Sequence, residues 1–274
     1  MISKTTALLV HQNEEVSGVM EVGVVKIAED SDFKRLKTLI DDNTNWKLDF
    51  HKGEDTKVWT QSLPGCDFKM VKIYAVFHNT TSDTLFDVLH DPHYRSRWDM
   101  HMIESTEIGY LNPNNDVGYY SMTCPAPLKN RDFVLQRSWL DTGDEKMILN
   151  HSIHHKSYPP KKGFVRALSH LTGFLIRSLP NGCAMGYISQ TDPRGKLQPW
   201  LVNKTTQIFA PKMIKHMRKA AEGYPTWKAM QINPNFKPWT YPEQTLESTR
   251  ISIDDCIDSL KGSSSSLTKD RDDD

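Results

Sequence analysis

The feature that most restricts how this chain can fold is a long succession of strand signals, closed by a single helical stripe. Six segments rich in strand-forming residues follow one another: Met102 to Leu111, Val117 to Cys124, Phe133 to Leu140, Met147 to His154, Phe164 to Leu179 and Cys183 to Thr191. The fifth is expected to break at Thr172-Gly173. Turn-forming clusters such as Asn112-Pro113-Asn114-Asn115, Asp141-Thr142-Gly143-Asp144 and Pro180-Asn181-Gly182 separate them. From Pro199 the period changes. Leu201, Thr205, Ile208, Phe209, Met213, Met217, Ala220, Ala221 and Tyr224 recur at helical spacing, and Pro211 inside the stripe predicts a kink. Strands in a run, then a terminal helix, predict an α+β fold built on an antiparallel sheet.

The first hundred residues add a helix, three strands and two short helices. Ser31-Asp32 can cap a helix whose Phe33, Leu36, Leu39 and Ile40 share one face. Strands are expected at Trp46 to Phe50, Lys57 to Thr60 and Lys69 to Phe77. Thr81-Ser82-Asp83 caps the next helix, and a short helical stretch runs from Tyr94 to Trp98. A sheet curled around the last long helix would be a grip able to hold something. Periodicity alone leaves open whether side chains or a ligand fill that grip. Residues 1–30 read as a weakly ordered arm and 31–240 as one folded domain. Residues 241–274, ending in Gly262 to Ser266 and an aspartate-rich run, read as a disordered tail.

Composition removes several classes of function. Lysine plus arginine equals aspartate plus glutamate, 34 of each in 274 residues. The chain therefore lacks the overall positive field expected of a nucleic-acid binder. Cys66, Cys124, Cys183 and Cys256 are too scattered for a zinc spacing or a disulfide framework, so reduced thiols in the cytosol are expected. On one strand His151 and His155 would share a face and His154 would oppose them, with no carboxylate or cysteine near in sequence. No metal and no cofactor is expected. The apolar step Ala7 to Val10 is too short to span a bilayer, so any membrane contact should be peripheral.

Three blocks carry a family resemblance: Tyr94-Arg95-Ser96-Arg97-Trp98-Asp99; Val117-Gly118-Tyr119-Tyr120 with Cys124 to Asp132 after it; and Pro199-Trp200-Leu201-Val202-Asn203-Lys204. In this order the chain resembles the START family, the steroidogenic-acute-regulatory-related lipid-transfer domains, over roughly Asp32 to Trp239. It is most similar to the phosphatidylcholine-transfer (PCTP-like) branch. The resemblance implies a helix-grip fold, a curved antiparallel sheet around an internal lipid tunnel closed by the C-terminal helix and a neighbouring loop. It further implies a monomeric, non-enzymatic carrier of one glycerophospholipid that meets membrane surfaces transiently.

The same resemblance assigns residues. Arg95 would meet the lipid phosphate with Asp99 beside it, a match of forked donors to phosphate oxygens; a solvated i, i+4 pair is the ordinary alternative. Tyr120 and Phe133 stand where the branch has the aromatic cage for choline, with different identities. Met122 and Thr172 occupy the other headgroup positions. The changed identities leave phosphatidylethanolamine plausible beside phosphatidylcholine, and plain core packing remains open for both rings. Pro125, Pro127, Asn130, Arg131 and Asp132 form the expected gate loop, and Ile208, Phe209, Met213 and Met217 the lid. Lys212, Lys215, Arg218 and Lys219 could touch anionic headgroups, or simply be a solvated face. Ser252 precedes Asp255 by three residues, a pattern acidophilic kinases favour, and a phosphate there could weaken attraction to anionic membranes. The rival readings are a lipid-sensing adaptor acting through its tail and a hydrolase on the same scaffold. The latter is disfavoured because no G-x-S-x-G nucleophile elbow is present.

Overall fold

The computed structural model describes residues 21–64, 66, 68–195, 208–246 and 249–256. The Pro199–Lys204 block, Leu201 and Thr205 of the helical stripe, and the Ser-rich acidic run lie outside them. Helix α1 (Asp30–Asp41) begins one residue before the expected cap. Glu29 and Asp32 each bond the other's backbone in a reciprocal capping box, so Glu29 takes the cap position. Strands β1 (Lys47–Lys52), β2 (Thr56–Ser62) and β3 (Lys69–His78) follow, then α2 (Ser82–His90), capped as expected by the Thr81 hydroxyl. A 3₁₀ turn (Arg95–Arg97) leads to β4 (Met102–Asn112), β5 (Asn115–Met122), β6 (Asn130–Asp141) and β7 (Glu145–Ser152). Then come β8 (Phe164–Arg166), β9 (Leu168–Leu179), β10 (Gly182–Asp192) and helix α3 (Ala210–Ala229).

Among the described residues ten strands make one sheet in the order β1-β2-β3-β10-β9-β7-β6-β5-β4. Neighbours pair antiparallel, except that the short β8 lies parallel to β6. The expected break at Thr172-Gly173 is absent; the chain breaks at Ala167 instead, and β9 runs through Gly173. That glycine is a packing hole. A Cβ on Gly173 would sit 2.5 Å from Leu36 Cδ1, and one on Gly186 of the neighbouring strand would sit 2.3 Å from Ile40 Cγ2. Helix α1 thus presses two of its side chains into the outer face of the sheet. Phe33, Leu36, Met147, Leu149, Leu171 and Leu175 form the dry layer between them. Lys72 closes the end of α1: its ammonium donates to Asp42 O at 2.7 Å and Asn43 Oδ1 at 2.9 Å, over the ring of Trp46.

The concave face carries a second cluster that includes Ile73, Phe77, Ile148, Ile176 and Met185, and it receives α2 and α3. The last helix corrects two expectations. Pro211 falls in the first turn of α3 rather than inside it, where its missing N–H costs nothing, and the internal proline is Pro225. Ile208 and Phe209 form a π-type turn just before it. Met217, Ala220, Ala221 and Tyr224 keep the expected face, and only the start of the helix differs. The buried residues are Ala210, Ile214, Met217, Ala220, Ala221 and Tyr224, while Ile208 is exposed and Met213 half-buried.

Two described segments that were expected to belong to the arm and the tail pack against the sheet. Gly23 N donates to Ser152 O at 2.8 Å, and Gln136 exchanges hydrogen bonds with the Lys26 backbone, which lays residues 23–26 along β6 and β7. Residues 249–256, assigned by composition to a disordered tail, strap the edge of β4. Ile251 N donates to Tyr110 O at 2.9 Å, and Cys256 is buried beside Leu111, Val117 and Ile153. The strap depends on Gly109, where a Cβ would come within 2.4 Å of Thr249 O. Among the described residues no helix is long and apolar enough to cross a membrane.

Candidate functional site

The sequence Tyr94 to Asp99 folds as one tight turn whose two ends meet. Trp98 is buried and donates its indole N–H to Val88 O at 3.2 Å, so the turn is fastened to α2. Asp99 N donates to Arg95 O at 3.0 Å, which stacks the two side chains, and Arg95 Nε donates to Asp99 Oδ2 at 3.1 Å. The guanidinium lies over the ring of Tyr120, 4.6 Å from its centroid, and over Trp98 at 5.3 Å. Tyr120 donates its hydroxyl to the same Asp99 oxygen at 2.9 Å. Burial raises the Tyr120 pKa, so the phenol keeps its proton and remains a donor. Phe133 is the cross-strand partner of Tyr120, its ring 6.2 Å away. The structure therefore brings Arg95, Asp99, Tyr120 and Phe133 together; Met122 follows Tyr120 on the same strand, half-buried.

Thr172 stands apart from that group, in a lateral row read through the strand register: Ser189 on β10, Thr172 on β9, Asn150 on β7, Arg137 on β6 and Asp116 on β5. Arg137 and Asp116 form a forked ion pair there, with Nε donating to Oδ1 at 3.0 Å. Sequence reading missed this pair. The available signal was Arg137 falling in register with Phe133, Leu135 and Trp139, three apolar residues on one face of a strand. Within a cluster of apolar residues His90 is buried with Nδ1 against Phe86 O at 3.0 Å, and Nε2 lacks a partner among the described residues. Burial, helped by the Arg137 charge, holds the His90 pKa well below the ordinary value, so it is neutral.

Of the expected gate loop, only residues before Asn130 are loop. Asn130, Arg131 and Asp132 begin β6 and tie down their surroundings. Asn130 Oδ1 accepts from Cys124 N at 3.2 Å; Arg131 donates to Pro193 O at 2.9 Å and Arg194 O at 2.7 Å; Asp132 accepts two bonds from Arg166. Pro125 and Pro127 lie on the loop itself, Pro127 exposed.

On α3, Met217 is fully buried, and Phe209 stacks edge-on against His101 at 5.4 Å. Lys212, Lys215 and Lys219 are exposed. Arg218 is not a surface cation. Its Nε donates to Val76 O at 2.8 Å, and Nη2 donates to Asp55 O at 2.7 Å and Thr56 Oγ1 at 2.9 Å, which removes it from the membrane-contact group. Ser252 is exposed and caps the turn Ile253–Asp255 by accepting from Asp254 N at 3.1 Å. The histidine parity also changes. The strand ends at Ser152, so His154 and His155 do not continue its alternation, and His151 bonds Val24 O at 2.9 Å. Among the described residues no group of three metal-ligating side chains comes together.

The START domain pattern matches residues 26–226. START domain-containing protein 10 of Homo sapiens is 43% identical over 224 residues, covering 81% of this chain and 76% of that protein. Phosphatidylcholine transfer protein of Rattus norvegicus is 29% identical over 158 residues, covering 56% of this chain and 73% of its own. Among solved structures, human STARD10 superposes with a TM-score of 0.78 at 40% identity, covering 85% of this chain and 95% of that one.

Proposed function

Since the chain belongs to the START-domain family, we propose that it is a phospholipid carrier, which holds one glycerophospholipid inside the sheet and exchanges it at membrane surfaces. The observation that carries this reading is the Arg95–Asp99–Tyr120 arrangement on an anchored turn. Asp99 engages only Nε, so the terminal nitrogens of the guanidinium are the donors for a phosphate. Asp99 offsets part of the cost of burying the cation when no lipid is present. Headgroups are read beside it. The faces of Tyr120 and Phe133 suit the quaternary ammonium of phosphatidylcholine, and Asp99 can accept from the N–H groups of phosphatidylethanolamine.

In this reading Pro125, Pro127 and the start of α3 bound the entrance, with Ile208, Phe209 and Met213 repacking as it opens and Met217 staying in place. Lys212, Lys215 and Lys219 meet anionic headgroups, each contributing ~1 kcal/mol near a charged surface. Phosphorylation of Ser252 would replace its capping hydroxyl and add negative charge next to Asp254 and Asp255. The protein is a cytosolic monomer and a carrier rather than an enzyme.

The test is native mass spectrometry with lipid extraction on protein purified from cells, wild type beside Arg95→Ala. One bound glycerophospholipid in the wild type, reduced ~10-fold or more in the variant, is the expected result for losing a charge-assisted hydrogen bond. A sterol, a ceramide or turnover of a thioester in place of a phospholipid would overturn the reading.

A further inference from the structure

Helix α3 is tied to the rest of the protein in two ways along its length. From Ala210 to Met217 no side chain makes a hydrogen bond to another described residue. This front is held by apolar contact, with Ala210, Ile214 and Met217 in the inner cluster. From Ala220 onward the ties are polar and buried. Tyr94 donates to Ala220 O, and Asp91 accepts from both Tyr224 and Lys228, the latter an ion pair with a buried carboxylate. Arg218 stands at the boundary between the two.

The acceptors that Arg218 takes follow from how the sheet ends. Strand β2 begins at Thr56, opposite Ala75, whereas β3 continues to His78. The N–H and C=O of one strand residue point to the same side. Val76 N donates to Asp55 O at 2.9 Å, so Val76 O also points to the side where β2 no longer runs. A buried carbonyl in that position needs a donor. Arg218 Nε supplies it at 2.8 Å, and Nη2 reaches Asp55 O at 2.7 Å and Thr56 Oγ1 at 2.9 Å. One guanidinium thus joins the middle of α3 to the corner of two strands.

All three acceptors are neutral. The Asp55 carboxylate attracts Arg218 but is bonded to His78 instead, and among the described residues no carboxylate pairs with Arg218. Breaking these bonds strands no opposite charge, and water can solvate the half-exposed guanidinium as it leaves. Parting Lys228 from Asp91 would leave a buried carboxylate uncompensated, which costs far more. The rear of α3 is therefore fixed, and its middle is held by a tie that can open and close.

We propose that Arg218 is the latch of the covering helix: its three bonds hold the front of α3 over the inner face, and their release sets the rate of lipid exchange. This rests on the phospholipid-carrier reading and deepens it by naming the positioning residue that controls exchange. With Met217 seated as the pivot, the front turns tilt only when the fork leaves the β2–β3 corner. The Asp91 ties keep the rear in place throughout.

The experiment pairs two readouts on wild type and Arg218→Met, which keeps the stem and removes the donors. One is transfer of a fluorescent phosphatidylcholine between neutral vesicles; the other is amide hydrogen exchange along α3. The variant should transfer lipid roughly 10-fold faster, the effect of about one net hydrogen bond to a charged group. Lipid bound per molecule at equilibrium should match the wild type. Amide exchange should rise over residues 210–217 and stay at the wild-type level over 220–229. Arg218→Lys keeps the charge, spans fewer acceptors and should fall between the two. Unchanged or slower transfer by Arg218→Met would overturn the latch and leave the carrier intact. Faster amide exchange throughout the protein would also overturn it, as general loss of stability. If the wild type transfers no phospholipid, the carrier reading falls, and amide exchange over 210–217 alone decides the latch.

Discussion

The two faces of the sheet are built from alternate residues of the same strands, yet they solve opposite problems. On the outer face, Leu36 and Ile40 enter spaces left by Gly173 and Gly186, and the layer is closed. Fit there depends on missing atoms, and the buried cation Lys72 is engaged at the end of α1. The inner face is fastened at its rim and left polar in its middle. Asp91 accepts from Tyr224 at 3.0 Å and Lys228 at 2.8 Å, Tyr94 donates to Ala220 O at 2.8 Å, and Arg218 holds the β2–β3 corner. Between those fastenings stand Arg95, the facing Thr172 and Ser189, and Arg137. The difference teaches that one face of a sheet can be closed by apolar fit while polar bonds at the margin hold the covering helices on the other.

Three changes would break or sharpen that contrast. The largest effect is expected from Asp91→Ala, which leaves the buried Tyr224 phenol without its acceptor and takes from Lys228 its carboxylate, leaving it Phe236 O alone. It should cost about 3–5 kcal/mol of stability, read from urea or thermal unfolding. A change within ~0.5 kcal/mol would show that the rim does not hold the inner face. Next comes Gly186→Val on the closed face. Overpacking against Ile40 should cost about 1–3 kcal/mol while lipid uptake per folded molecule stays at the wild-type level. Loss of uptake with normal stability would mean the faces are not independent.

The smallest effect is a pH dependence of the inner face. His90 is neutral when folded because burial and Arg137 depress its pKa, whereas in the unfolded chain it titrates near 6.5. Below that value the unfolded chain takes up a proton that the folded one refuses. Stability is therefore fully present above pH ~6.5 and falls as the pH drops below it. Melting temperature measured from pH 7.5 to 5.5 should decline, and less steeply in His90→Leu. Parallel declines in the two proteins would assign the acid sensitivity elsewhere, with His151, also depressed by burial, the next candidate.

What the sequence made legible follows from how local each signal is. Alternation and turn clusters placed most of the strands, and the Thr81 cap located α2, because each depends on residues a few positions apart. Arg95, Asp99 and Tyr120 were singled out through the resemblance, and the Arg95–Asp99 contact through helical spacing; the contact of Tyr120 with Asp99 was not. The Arg137–Asp116 pair and the facing of Thr172 and Ser189 across β9 and β10 depend on strand register, which spacing in one strand does not carry. The face of α3 was legible from Met217 to Tyr224; at its start Ala210 and Ile214 are buried, where spacing had pointed to Phe209 and Met213. Residues 249–256 read as tail because Ile251 and Cys256 are isolated apolar positions in a polar stretch, and their burial depends on Gly109, far upstream.

That strap has a consequence for the order in which the molecule is made. Every strand among the described residues precedes it in sequence, so on a ribosome these ten strands are synthesised while the outer edge of β4 is still uncovered. An uncovered edge strand is a template on which another chain can add. A nascent chain stopped just after α3 would already possess these strands and covering helices, and would still carry an edge at β4 open to another chain.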